Sequence, residues 1–370
     1  MKFFKSLAVA FIALAVSACG QSEDSNVIVI GTAGPMTGEN AAFGEQMKAG
    51  IEQAVKDINA AGGVLGKKLK LEIGDDQCDP RQAVAVANQM VNKKVKFIAG
   101  HFCSGSSIPA SDVYNEENIL MISPGSTNPI LTDRRLPNVF RVCGRDDQQG
   151  LVAGNFLADK FPGARIAVVH DKQAYSKGLA DETLKTLTQR GVKVALTDTV
   201  NKGEKDYSAI VTKLKAAKID ILYYGGYQAE AGLLIRQMRE QGMATRLVSG
   251  DALVTHEFWN ITGALGNGTL MTFSPDPRKN PKAVPVIARL RAAGNRAEGY
   301  TLYTYGAVQV FVEAVKRVGA VDIPKIRALL RTQTFDTVLG EISFDAKGDV
   351  KAPGYVFYEW RDGKYEYTKL

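Results

Sequence analysis

Residues Lys96–Pro129, KFIAGHFCSGSSIPASDVYNEENILMISPGSTNP, carry the pattern that decides the fold. Phe97 to Ala99 reads as a short apolar strand, Gly100 to Ser107 as a loop of small residues, and the stretch to about Asn118 as a helix. Leu120 to Ser123 is a second strand, and Pro124 to Pro129 a second small-residue loop. Parallel strands joined through a helix deliver their carboxyl ends to one edge of a sheet, where ligands sit. The loops holding Cys103-Ser104-Gly105-Ser106 and Gly125-Ser126-Thr127 are therefore expected side by side. They offer hydroxyls, backbone N–H and C=O groups and almost no side-chain charge, which suits holding a small zwitterion rather than reacting with one.

Towards the amino terminus the same unit repeats. Val27 to Ala33 is an apolar, β-branched strand running into the turn cluster Gly34-Pro35-Met36-Thr37-Gly38. A helix from about Ala42 to Asn59 places Met47, Ile51, Ala54, Val55 and Ile58 at helical spacing and stops at Gly62-Gly63. Leu69 to Ile73 is a strand, and Asp79-Pro80 supplies an N-cap and a first-turn proline for a helix with Ala83, Val86, Ala87, Met90 and Val91 on its apolar face. The order βαβαβαβ implies a parallel, doubly wound sheet covered on both faces.

A fresh unit of this kind follows Asp133 to Asn138 and the segment VFRVCGRDD. Its strands are Arg165 to Val169, Val192 to Thr197, Ile219 to Tyr224 and Thr245 to Val248, alternating with helices from Tyr175, Tyr207, Ala229 and His256. Gly268 to Phe273 reads as a returning strand, followed by SPDPRKNPKAVP, by helices Val284 to Ala293, Leu302 to Val318 and Ile323 to Arg331, and by short strands in ISF, YVFYEW and YEYTKL. Two similar α/β lobes are expected, residues 27–144 with 274–353 and residues 145–273 with 354–370. The chain then crosses near Gly144, Ser274 and Pro353, and such a pair of lobes can close on a ligand by hinge motion.

Met1 to Cys19 joins Lys2 and Lys5 to an apolar run, Leu7 to Val16, and to small residues at Val16-Ser17-Ala18-Cys19-Gly20. This is an export signal, and its apolar run is too short for a permanent membrane span. Val16 to Cys19 also resembles the lipobox of bacterial lipoproteins, which makes Cys19 the candidate lipidation site, ordinary cleavage being the alternative. Residues 20–26 then serve as a tether, and the protein is expected in the periplasm, meeting the membrane only through that anchor. Without Lys2 and Lys5 the 46 basic residues fall to 44 against 39 acidic ones, a net charge of +5. The lysines are scattered, as on a solvated surface, and nucleic acid is not indicated.

Of the four cysteines, Cys78 and Cys103 each end a strand and so can meet at one sheet edge in an oxidising compartment. Closing that loop of about 26 residues contributes about 3–4 kcal/mol on the chain-entropy model. Cys143 is left as a small buried hydrophobe. Enzyme signatures fail: there is no G-x-G-x-x-G after a strand, no Walker-A loop, no G-x-S-x-G and no H-E-x-x-H. A triad of Ser104 with His101 or His170 and Asp171 can be drawn, but each histidine is more simply a polar residue at a strand end. No group has metal-ligand spacing, so neither metal nor cofactor is expected.

Read together and in order across about Val27 to Trp360, the strings IGTAGPMTG, DDQCDP, AVAVANQMV, GHFCSGSSIPASD, ILMISPGSTNP, VVHDKQAYSKGLA, LYYGGYQAEAG and DTVLGEISFDAKGDV resemble the leucine/isoleucine/valine-binding proteins of bacterial ABC importers. The resemblance implies a type I periplasmic binding fold, α/β with two Rossmann-like doubly wound parallel-sheet lobes joined by three crossovers. It implies a monomeric, non-enzymatic capture subunit that hands an α-amino acid to permease subunits. The family's disulfide falls on Cys78 and Cys103. Its α-carboxylate contacts fall on Ser104 and the backbone of Thr127, and its α-ammonium contacts on the Gly125 carbonyl, the Thr127 hydroxyl and an acid from the other lobe. Tyr175 and Tyr227 match tyrosines that close over the ligand, and Phe43, Phe102 and Tyr300 match side-chain pocket groups.

Three departures bear on selectivity. The family's ammonium-binding glutamate is matched by Asp251 in Val248-Ser249-Gly250-Asp251-Ala252, one methylene and ~1.5 Å shorter. Phe43 stands for a tyrosine or tryptophan, and Gly125-Ser126 for an alanine pair. Structural roles compete: Asp251 as an N-cap near His256, Tyr227 as packing at a strand end, Phe43 as core. The short acid also admits a γ-amino acid, a short amide or an aromatic acid as ligand. A sensor module without transport is the alternative of a different class.

Overall fold

The computed structural model describes residues 26–351 and 354–370. The expected signal peptide, Cys19, most of the tether and the crossing near Pro353 lie outside the described residues.

The first half runs β1 (Val27–Gly34), α1 (Ala41–Ala60), β2 (Lys68–Asp75), α2 (Pro80–Asn92), β3 (Phe97–Gly100), α3 (Ser104–Glu116), β4 (Leu120–Ser123), α4 (Ile130–Asp133) and β5 (Val139–Arg141). These strands form one all-parallel sheet in the order β2-β1-β3-β4-β5. β3 and β4 are buried at every position, as a parallel sheet covered on both faces requires. α2 begins as its sequence dictates: the Asp79 carboxylate accepts from the N–H groups of Arg81 and Gln82 at 2.8 and 2.9 Å, with Pro80 in the first turn.

The chain then passes through α5 (Asp146–Lys160) into β6 (Ile166–His170), α6 (Ala174–Gln189), β7 (Leu196–Thr199), α7 (Ser208–Ala216), β8 (Ile221–Gly225), α8 (Gln228–Glu240), β9 (Arg246–Ser249), α9 (His256–Thr262) and β10 (Leu270–Phe273). Their sheet has the order β10-β9-β8-β6-β7, the winding of the first sheet repeated. It departs from the expected all-parallel form at one edge. There β13 (Val356–Arg361) pairs antiparallel with β10, and β14 (Lys364–Tyr367) with β13. The tail can add these strands because Asp362-Gly363 turns it tightly, both residues having positive φ.

Between β10 and β13, α10 (Val284–Ala292), α11 (Thr301–Val318), α12 (Ile323–Leu330) and the antiparallel pair β11 (Phe335–Thr337) and β12 (Gly340–Ile342) return to the first sheet. α11 packs on α1, and Phe311 stacks on Phe97 of β3 with centroids 4.4 Å apart. The helices approach closely because position 50 is glycine: a Cβ there would lie 2.2 Å from the Thr301 carbonyl oxygen.

Element types follow the sequence reading with boundaries shifted, except that α4 and the 15-residue α5 are absent from it. The strand expected over Val192 to Thr197 is β7, four residues long and half exposed. The Ser104–Ser107 loop is the first turn of α3, because the Cys103 carbonyl accepts from the N–H groups of Ser106 and Ser107, both at 2.9 Å.

Candidate functional site

In both sheets the winding reverses between the first and third strands of the unit, so a crevice opens at those carboxyl ends. In the first half the crevice is bordered by the segment after β1, which leads to Phe43, and by that after β3, which holds Phe102, Cys103 and Ser104. The loop after β4, with Gly125 and Thr127, lies beside it. In the second half Tyr175 follows β6, Tyr227 follows β8 and Asp251 follows β9.

Ser104 and Thr127 are both buried. Ser104 opens α3, whose first-turn N–H groups and positive dipole end favour an anion. Its hydroxyl accepts from the Asn128 N–H at 3.2 Å, which ties the two loops together. The Ser126 hydroxyl adds a second tie, donating to the Phe102 carbonyl at 2.7 Å. The Thr127 hydroxyl has no hydrogen-bond partner among the described residues. Gly125 admits the ring of Phe102, since a Cβ at this position would lie 2.6 Å from it. Phe102 stacks on Phe43 at 4.3 Å and meets Tyr300 edge-on at 5.1 Å, so the three expected pocket side chains form one aromatic cluster. Phe43 is fully buried in it.

Cys78 and Cys103 form the expected disulfide, with Cα atoms 5.5 Å apart. Cys143 is free and buried, its thiol against the Ser126 carbonyl at 3.4 Å. His101 is buried between Asp76 at 2.5 Å and the Tyr114 hydroxyl at 2.9 Å. Both ring nitrogens are thereby engaged, which leaves none for Ser104 and removes His101 from the drawn triad.

Asp251 is buried, and its carboxylate gathers donors from three directions. One oxygen accepts from the Gln149 amide and the Tyr175 hydroxyl, each at 2.8 Å, and the other from the Tyr300 hydroxyl. Tyr300 belongs to the segment packed on the first sheet, so the aspartate is met across the crevice by a phenol. The N-cap alternative is answered by Thr255, whose hydroxyl caps α9 by accepting from Glu257. Burial pushes the Asp251 carboxyl up to about 6, against the Tyr300 and Tyr175 hydroxyls, which favour its charged form. Tyr227 is buried with its ring 5.1 Å from that of Tyr175.

The nine sequence-predicted site residues thus converge in two groups. Asp251, Tyr175, Tyr227, Tyr300, Phe102 and Phe43 are linked ring to ring or by hydrogen bonds, and Gly125 abuts Phe102. Ser104 and Thr127 make no hydrogen bond to Asp251. The crevice therefore has an anion-favouring end at α3 and an acidic end at Asp251. The halves also touch directly: the Asn128 amide donates to the Ala174 carbonyl at 2.8 Å, and Gln228 to that of Glu39 at 3.0 Å.

Two residues here were missed by sequence reasoning, Gln149 and Asp146, both fully buried near the start of α5. Their only signal was the acid pair Asp146-Asp147 opening a helix, which does not say which of the two is buried.

A family model described as periplasmic binding protein matches residues 27–364. The Leu/Ile/Val-binding protein homolog 1 of Brucella melitensis is 50% identical over 359 residues, 96% of each chain. Among solved structures, the leucine binding protein LivK of Thermotoga maritima superposes with a TM-score of 0.85 at 28% identity, covering 92% of this chain and 97% of that one. The branched-chain amino acid transporter substrate binding protein LivJ of Streptococcus pneumoniae, solved with isoleucine, gives 0.84 at 27% identity, covering 92% and 98%.

Proposed function

This chain belongs to the periplasmic binding protein family, and on that premise we propose that it is the extracytoplasmic capture subunit of an ABC importer, taking α-amino acids, branched aliphatic ones first. The observation that carries the reading is the polarity of the crevice: neutral donors at the start of α3 face one way, and a buried acid from the opposite half faces the other. An α-amino acid has that polarity. The Ser104 hydroxyl and N–H and the Thr127 N–H take its carboxylate. The Gly125 carbonyl, the Thr127 hydroxyl and Asp251 take its ammonium, Asp251 having room for one more donor after its three.

Phe43, Phe102 and Tyr300 receive the aliphatic side chain, while Tyr175 and Tyr227 cover it as the lobes, 27–144 with 274–353 against 145–273 with 354–370, close. Hydrogen bonds to charged groups contribute about 1.5–3 kcal/mol each, and burial of a leucine-sized side chain a similar amount. Relatives named for leucine, isoleucine and valine support the ligand class. In this reading the chain acts as a monomer outside the cytoplasm, held by a lipid on Cys19, and delivers ligand to permease subunits. It performs no chemistry and needs no cofactor.

Calorimetric titration with each of the twenty amino acids tests the reading. Leucine, isoleucine and valine are expected to bind most tightly; absence of binding by every α-amino acid overturns it.

A further inference from the structure

Asp146 is a fully buried acid that the proposed site leaves unused. It opens α5 where the chain passes from the first sheet to the second, and its N–H donates to the Thr127 carbonyl at 2.9 Å. The side chain is fully buried, and neither carboxyl oxygen has a hydrogen-bond partner among the described residues. The Thr127 hydroxyl, itself unpartnered, lies beside it and favours its charged form without the geometry of a formed hydrogen bond. One turn along α5, on the same face of the helix as Asp146, Gln149 donates to Asp251 at 2.8 Å.

The neighbours leave Asp146 without a counter-charge of its own. The cation facing it is Arg141 of β5, already paired with Asp349 at 2.7 Å and donating to the carbonyls of Ser126 and Asn128. The anions facing it are Asp251 and, on its own helix, Asp147, which is held by Arg145 at 2.8 Å. Cys143 and the phenols of Tyr175, Tyr223, Tyr227 and Tyr355 also surround it, and burial drives the ionisation of each far upward, so all are neutral at physiological pH.

We propose that Asp146 is a second ligand-binding acid, which with Asp251 forms a two-carboxylate cradle that exchanges a proton for the ligand's ammonium group. Without ligand the pair holds one proton and a charge of −1. When the ammonium enters, the acid's O–H bond breaks, the proton leaves to solvent, and the pair carries −2 against the ligand's +1. Burial, and then the charge of Asp251, push the Asp146 carboxyl well above the usual range, consistent with its being the proton's holder. A ligand without a cationic group cannot displace that proton, so the cradle discriminates against plain carboxylic acids.

The inference rests on the amino-acid reading above, and the two fail separately. Leucine is titrated into the full chain at about pH 7 in two buffers of different ionisation enthalpy, to count protons released. About half a proton or more per leucine is expected from the wild type, and close to none from Asp146→Asn, where the remaining acid at Asp251 is already ionised. If leucine and every other amino acid fail to bind, both readings fall. Binding without proton release, or release undiminished in Asp146→Asn, overturns this inference alone. Should Asp146→Asn not fold, the wild type decides by infrared difference spectroscopy: a protonated-carboxyl band lost on adding leucine is expected, and no such loss overturns the proposal.

Discussion

At the scale of residues, the proposed site rests at position 251 on an aspartate where the family resemblance implies a glutamate. Tyr300 and Tyr175 reach Asp251 from opposite sides, so the side chain need not span the crevice. Asp251→Asn keeps the shape, removes the charge and sets an amide N–H₂ among three donors. Leucine affinity is expected to fall about tenfold or more, at least ~1.4 kcal/mol, in calorimetry. Glu230 gives a test in stability. It is buried, its carboxyl pushed up to about 7 by burial, although the Gly203 N–H at 3.1 Å favours the charged form. A raised carboxyl is unpenalised below its unfolded value and costs stability as pH rises through about 7. Glu230→Gln is therefore expected to raise the melting temperature at pH 8 and to leave it nearly unchanged at pH 5; the opposite pH order would contradict this. Ser104, Thr127 and Asp251 were legible in the sequence through the resemblance of their loops. Asp146 and Glu230 were not, because a string of residues does not say which carboxylates lose their water.

At the scale of elements, the stretch between β3 and β4 was read correctly in kind and wrongly at one edge. Small residues favour a loop there, yet three serines and a glycine form the first turn of α3. Propensity alone argues against helix there; the Cys103 carbonyl bonds and the disulfide decide otherwise. That disulfide closes a separation of 25 residues just ahead of Ser104. Replacing both Cys78 and Cys103 by alanine is expected to cost about 3 kcal/mol of stability on the chain-entropy model, read by denaturant unfolding. Leucine affinity should weaken as well, since the loop before α3 loses its anchor. The antiparallel edge β13–β14 escaped sequence reading because alternation in YVFYEW and YEYTKL marks strands but not the partner they choose.

At the scale of the whole molecule, one winding is used twice, and the two crevices face each other. The repeat was legible from alternating strands and helices; how the halves meet was not, since contacts such as Asn128 to Ala174 join residues 46 positions apart in sequence. This contact joins the two halves, and in the proposed hinge closure it acts as a latch. Asn128→Ala is expected to speed leucine dissociation several-fold in stopped-flow measurements and to change association little, because closure follows encounter. Equal effects on both rates would place Asn128 outside closure.

The central claim is that an α-amino acid lies between the halves with its carboxylate at α3 and its ammonium at the buried acids. A crystal structure of the chain grown with leucine tests it most directly. The carboxylate is expected within hydrogen-bond distance of Ser104 and the Thr127 N–H, and the ammonium within reach of Asp251. Leucine bound anywhere else, or in the crevice with its ends reversed, would contradict it.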